Sequence, residues 1–326
     1  MMATEKALKG RPSVHKKKFD ELGILIVAIA LFIFLSIASP HFLKFTNIQN
    51  LLLQSVFVML VGFGMTFVLT IGGIDLSVGS ILGFSGATCG LMIIATGSAA
   101  AGVLTGLVTG VGFGFLNGIL ITKLKIAPFL VTFAMNSVIR GILLLTSSNG
   151  SVSGFGIDDF TWLSQGYAIG LPVPVIITII VFVILLFLFK FTSFGRYITA
   201  IGSNKQAAFL SGVSTNRITV IVYMLSGLMA ALSGVLLAAR MSSVPSELGA
   251  GYEMDAIAAA VIGGTSMAGG KGSIIGAIIG AMILGMISNG LDLLSVNQFY
   301  RQIIVGIIIV VAVALERLTS LKSEKV

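Results

Sequence analysis

Few residues in this sequence could do chemistry, and three short stretches hold most of those that fall in apolar surroundings. "TIGGIDLSVGSILG" (70–83) carries Asp75 with Ser77 and Ser80, and Asp75 is the only charged residue between Phe45 and Thr122. "GFSG" (83–86) resembles a serine-nucleophile segment, and "TSMAGGKGS" (265–273) a phosphate-binding loop. Neither supports catalysis. A serine nucleophile needs a base, usually His, within hydrogen-bond reach. The only histidines are His15 in the N-terminal tail and His41 in the first polar loop, so Ser85 reads as a small packing residue. The pattern G-x4-G-K-[ST] needs Gly at 265 and Ser or Thr at 272, where the chain has Thr265 and Gly272, and no strand precedes it. Two His, one Cys and loop carboxylates make no metal-ligand set. A proton relay strings several acids or His through its spans; here only Asp75 and Arg140 are candidates. The chain is expected to be no enzyme and to hold no cofactor of its own.

The elements that must position these residues are membrane helices. Of 326 residues 56% are hydrophobic and 10% charged, against roughly 25% charged in soluble domains. Runs such as "VPVIITIIVFVILLFLF" are apolar at nearly every position, which excludes the alternation of a β-barrel. The fold class expected is an all-α polytopic membrane protein. Forty glycines suggest closely packed and broken helices. About ten spans of the usual ~20 residues fall at 22–39, 48–70, 77–96, 99–122, 127–147, 171–190, 218–239, 255–269, 273–290 and 301–316. Residues 1–20 form a basic tail, 21–318 the membrane domain and 319–326 a second tail.

Charge orients this domain. With the N-terminus in the cytosol, 16 of the 20 Lys and Arg face inward, as the positive-inside rule requires. Lys44, Arg240 and Arg301 fall outside and Arg140 within a span, and both termini are cytosolic. The net charge of +8 is therefore topological and implies no nucleic acid. Cys89, alone in an apolar run, permits no internal disulfide and reads as a small buried hydrophobe. The first apolar segment lacks a cleavage site and reads as an uncleaved signal-anchor.

Two long loops stand out. Ser148 to Gly170 is polar and outside, with Asp158 and Asp159, whereas Phe191 to Arg217 is basic and inside. Glu247, Glu253, Asp255 and Asp292 add to an acidic outer face. "TIGGIDLSVGSILG" (70–83) is echoed by "VIGGTSMAGGKGSIIG" (261–276), and "LNGIL" (116–120) by "SNGLD" (288–292). Glycine-interrupted helices in corresponding halves point to a transport pathway.

"GGIDLSVGS" (72–80), "GSNKQAAFLSGV" (202–213) and "GYEMDAIAAAVIGGTSMAGGKGS" (251–273) together resemble the monosaccharide branch of the ABC-importer permeases, nearest to the ribose type. Similar permeases serve xylose, arabinose, galactose and allose. The likeness runs from about Gly23 to Leu315. It implies ten helices per subunit in the large vitamin-importer type of fold, paired as a dimer in the bacterial inner membrane and its lipid. It also implies a cytosolic ABC ATPase, which binds the ATP and Mg, and a periplasmic sugar-binding protein. Within loop 191–217, "QAAFLSG" keeps the Ala-Ala-x3-Gly core of the segment that seats in the ATPase. On that reading Gly202 and Gly212 break a short amphipathic helix, Ala207 and Ala208 allow close approach, and Phe209 and Leu210 supply apolar contact. Where relatives often carry Pro or Glu after the Asn, Asn204 is followed here by Lys205 and Gln206.

Asp75 then has two compatible readings. Gly72 and Gly73 break the incoming helix near the cytosolic face, and Asp75 or Ser77 caps the next one. Alternatively, the broken segment lines an inner gate where Ser77 and Ser80 pass sugar hydroxyls onward. Thr265 and Ser266, in the second glycine cluster, are counted with them. Arg140 pairs with an acid near the path or snorkels outward, and Asn117, Asn136 and Asn149 are weaker path candidates. The expected function is the permease subunit of an ATP-driven importer for a pentose or allose-like hexose. The rival is an ion-coupled secondary sugar transporter, with Asp75 as its titrating acid; a channel fits less well.

Overall fold

The computed structural model describes residues 14–147, 150–297 and 299–324. Its helices are α1 (Val14–Ala38), α2 (Phe45–Thr70), α3 (Val78–Thr96), α4 (Ala99–Lys123), α5 (Pro128–Thr146), α6 (Asp158–Gln165), α7 (Val173–Phe191), α8 (Ser193–Ser203), α9 (Lys205–Leu210), α10 (Thr215–Met241), α11 (Tyr252–Ile262), α12 (Ile274–Leu293) and α13 (Phe299–Glu324). Seven of these, α2 to α5, α7, α10 and α12, are long and apolar enough to cross a membrane. Two shorter apolar stretches, 23–38 in α1 and 299–311 in α13, accompany them. The expected span at 255–269 is corrected. Its helix stops at Ile262 and the chain runs irregularly to Ser273, because Gly263 and Gly264 end it. At 1.5 Å per residue the eleven residues of α11 reach about 16 Å, roughly half a hydrocarbon core.

Among the described residues, four strands of two or three residues qualify the all-α expectation: β1 (Ser151–Ser153), β2 (Tyr167–Ala168), β3 (Leu171–Pro172) and β4 (Ser243–Pro245). β1 pairs antiparallel with β4, Val152 opposite Val244, and the Ser246 N–H donates to the Gly150 carbonyl. The polar-looking segment is thus tied, through residues 150–153, to the segment that follows α10. Phe155 and Phe160, fully buried and edge to face at 5.9 Å, anchor it.

Beyond Gln54 the sequence of α2 is apolar but for Ser55, Thr66 and Thr70, and a helix that is hydrophobic all round belongs in the centre of its bundle. From Ser55 to Thr70 every residue of α2 is buried, against α10, α11 and α12. α4 meets α3 and α10 through glycines four apart, Gly102, Gly106, Gly110, Gly114 and Gly118. A Cβ at Gly110 would run into the Gly227 carbonyl, and one at Gly114 into the Tyr223 carbonyl. Small residues on one helix face let membrane backbones touch, which replaces a hydrophobic drive that lipid cannot supply.

Gly110→Val is therefore expected to destabilise the bundle by roughly 1–3 kcal/mol, seen as a lower melting temperature in detergent. Gly112→Ala, where nothing lies within 4 Å, should be neutral or stabilising by up to about 1 kcal/mol.

Candidate functional site

Two helices break inside this bundle, and their breaks are built alike. α2 ends on Gly72 in the left-handed region (φ 78°), with the Gly72 N–H on the Leu69 carbonyl and the Gly73 N–H on the Val68 carbonyl. α11 ends on Gly264 (φ 82°), with the Gly264 N–H on the Val261 carbonyl and the Thr265 N–H on the Ala260 carbonyl. Each is a Schellman cap, whose left-handed residue favours glycine. The echo between 70–83 and 261–276 is thus a repeated structure. The first turn also touches the irregular segment that follows the second: the Gly270 N–H donates to the Thr70 carbonyl at 2.9 Å.

Beyond Gly73 the chain rises as irregular backbone to Asp75. Its carboxylate is wholly enclosed. Oδ1 accepts the Ser77 N–H (3.1 Å) and hydroxyl (2.6 Å), and Oδ2 accepts the Ser226 hydroxyl of α10 (2.9 Å). Asn117 Nδ2 on α4 donates to Ser77 Oγ at 2.8 Å. The chain Asn117–Ser77–Asp75–Ser226 thus ties the break to two helices. Ser226 stands eleven residues into α10, about 16 Å along its axis. Asp75 therefore lies well inside the bundle, which corrects its expected position near the cytosolic face. Nor does it cap α3: Ser77 is the N-cap residue, without a side-chain cap bond.

A second irregular segment enters from the opposite end. From β4 the chain descends through residues 246–251 to the start of α11, where Gly249 meets Gly79 in the first turn of α3. A Cβ at Gly79 would strike the Gly249 carbonyl and the Glu253 carboxylate. Glu253 and Asp255 are therefore not acids of an outer loop, as the sequence reading had them, but the first turn of an internal half-helix. Arg140 of α5 holds the descending segment, its Nη1 donating to the Ser246 and Leu248 carbonyls, both at 2.9 Å. Of the expected alternatives for Arg140, an acid partner or snorkelling, the first holds in part: its hydrogen bonds go to backbone carbonyls, and its charge acts on the Glu253 carboxylate. Asp255 pairs with Arg301 of α13.

The remaining sequence candidates fall as follows. Ser80 is buried and donates to the Ser77 carbonyl. Asn136 is half-buried on α5, one turn before Arg140. The Thr265 hydroxyl accepts the Ser273 N–H, and Ser266 Oγ accepts the Ala268 N–H. Asn149 lies outside the described residues. In the inner loop Asn204 caps α9 by accepting the Ala207 N–H at 2.9 Å, and Gly212 (φ 85°) closes it. Two expectations there are corrected. Gly202 breaks nothing: it lies within α8, where a Cβ would collide with the Thr70 carbonyl and the Gly270 amide. Ala208 faces its own chain at 6% exposure, whereas Ala207 is exposed and Phe209 and Leu210 stand 65% and 78% exposed. Sequence reasoning missed Ser226, Glu253 and the Asp255–Arg301 pair, all set by long-range packing; only the serine in an apolar run signalled the first.

Asp75→Ala leaves the Ser77 and Ser226 donors buried without an acceptor, at about 1–3 kcal/mol each. It should lower the melting temperature more than Asp75→Asn, which keeps one acceptor oxygen. Arg140→Met removes two charge-assisted bonds of roughly 1.5–3 kcal/mol each, and amide exchange in 246–251 should rise at least tenfold while that in α10 is unchanged.

Residues 47–313 match the family described as branched-chain amino acid transport system / permease component. The ribose import permease protein RbsC of Bacillus subtilis is 43% identical over 97% of this chain and 99% of its own length. RbsC of Escherichia coli K12 is 39% identical over 96% and 98%. The D-allose transport system permease protein AlsC of E. coli K12 is 40% identical over 93% of each chain. No solved structure matches. A multi-pass bundle with paired helix breaks, a family match over most of its length and relatives alignable almost end to end lead to one conclusion: the chain belongs to this family of transport-system permease components.

Proposed function

We propose that this chain is the membrane-spanning subunit of an ATP-driven importer and passes a monosaccharide, a pentose or an allose-like hexose, across the bacterial inner membrane. The sugar class rests on relatives whose names specify ribose and D-allose. The subunit would pair with a second copy, carry ten membrane segments with α1, α11 and α13 completing the count, and keep both termini in the cytosol. Its partners would be an ATPase at the basic inner face and a sugar-binding protein at the acidic outer face.

One observation carries the mechanism. α8 lies against both helix breaks at once: Gly202 abuts Thr70 and Gly270, and the Gly202 carbonyl and Ser203 flank Gly269 and Gly270. α9 follows after the single residue Asn204, with Phe209 and Leu210 turned outward. A push on α9 by a partner therefore reaches both breaks through rigid, closely packed backbone. Packed glycine contacts have little room to deform continuously and favour discrete arrangements, which suits alternation between outward- and inward-open states. The ion-coupled alternative needs an acid that exchanges with solvent. Asp75, fully enclosed by serine donors, suits a structural role better.

Phe209→Glu/Leu210→Glu should reduce co-purification of the ATPase from native membranes at least tenfold, with the melting temperature of the chain unchanged. Ala208→Glu, by contrast, should lower that temperature. Undiminished ATPase recovery with Phe209→Glu/Leu210→Glu would contradict the seat. Sugar uptake by the chain alone, abolished by Asp75→Asn, would favour the ion-coupled carrier.

A further inference from the structure

The inner half-helix α11 and the outer end of α13 line an open cavity of about 290 Å³, with Gly251, Met254, Asp255, Arg301, Gln302 and Val305 among its walls. Its depth follows from packing. Ala259 of α11 meets Gly62 of α2, and Asp255 lies one turn, about 6 Å, toward the outer side, level with the middle of α2. An ion pair at this depth costs desolvation that a packed apolar pair would avoid, and intramembrane ionisable residues mark solute pathways by default. The pair also stands beside the break at 246–251, the kind of discontinuous helix at which transporters hold their cargo.

We propose that this cavity is a halting site for a neutral polyol on its way through the transporter, with Asp255 and Arg301 as its polar contacts; the proposal rests on the sugar-importer reading above. The chemistry is specific in three respects. The carboxylate accepts hydroxyl hydrogens while the guanidinium donates to hydroxyl oxygens, so one pair satisfies both halves of adjacent hydroxyl groups. Paired, the two carry no net charge and do not attract a lone ion. Met254, Val305 and Ile309 supply an apolar wall for the C–H face of a ring. The volume lies just below the roughly 300–1,000 Å³ of drug-sized ligand sites, which suits a single monosaccharide. Arg301 is 33% exposed and Asp255 13%, so the pair is reachable from the cavity without unfolding α11.

The test uses the complete transporter, this chain with its ATPase and binding protein, in proteoliposomes of fixed lipid composition with radiolabelled ribose, allose and arabinose. Arg301→Gln should lower uptake of the transported sugar at least tenfold while ATPase co-purification stays at the wild-type level. The exchange Asp255→Arg/Arg301→Asp separates cargo contact from mere bracing: it should restore the melting temperature lost in Arg301→Gln but not the uptake. Wild-type uptake by Arg301→Gln, or recovery of both melting temperature and uptake in the exchanged pair, overturns the site alone. Absence of uptake of all three sugars by the wild type, with ATP hydrolysis intact, overturns the sugar reading and the site with it.

Discussion

A backbone that leaves the helix at membrane depth must find a partner for every amide and carbonyl it frees, since hydrocarbon offers none. Everything distinctive in this protein answers that constraint. Residues 71–77 and 246–251 are non-helical inside the bundle, and each is held by side chains from elsewhere. Asp75 collects the donors of Ser77 and Ser226, Thr132 donates to the Ile74 carbonyl, and Arg140 donates to two carbonyls of the descending segment. The charge on Asp75 is better explained as the acceptor that lets α2 stop and α3 begin within the bundle than as a reagent.

The glycines serve the same end by another route. Those of α4 seat α10 at Tyr223 and Gly227, and Gly64 of α2 lies against the backbone of Ser226, whose hydroxyl reaches Asp75. Gly79 and Gly249 let the two irregular segments meet, and Gly202 seats α8 on Thr70 and Gly270. Close backbone contact leaves little compliance, and on the proposed function this is what passes a displacement of α8 to the breaks. The proposed transport cycle depends on that stiffness.

Much of this was legible in the sequence because it is periodic or punctuated. The apolar runs located the seven helices long enough to cross a membrane to within three residues at each end, and the Gly-Gly step at 72–73 marked the first break. Depth was not legible. Asp75 followed a span and was assigned to a face, yet the chain climbs back into the bundle after Gly73, and only the distant Ser226 shows how far. α11 was read as a full span because apolar residues continue past its true end at Ile262. "QAAFLSG" gives a helix but not its rotation, so the inward turn of Ala208 was not legible, and Gly202 sits in the preceding helix α8, whose contact with Thr70 and Gly270 only the fold shows. Arg301 and Asp255, 46 positions apart, could be joined only by a fold.

The central claim is that the two breaks and the α8–α9 unit move as one. Hydrogen–deuterium exchange of the reconstituted complex would test it directly, with and without a non-hydrolysable ATP analogue on the partner ATPase. The account predicts that peptides covering 70–77, 193–212 and 262–273 change protection together, including the Gly270 amide held by the Thr70 carbonyl, while α4 stays constant. A change confined to 193–212, with both breaks unaltered in a complex that still transports, would contradict it.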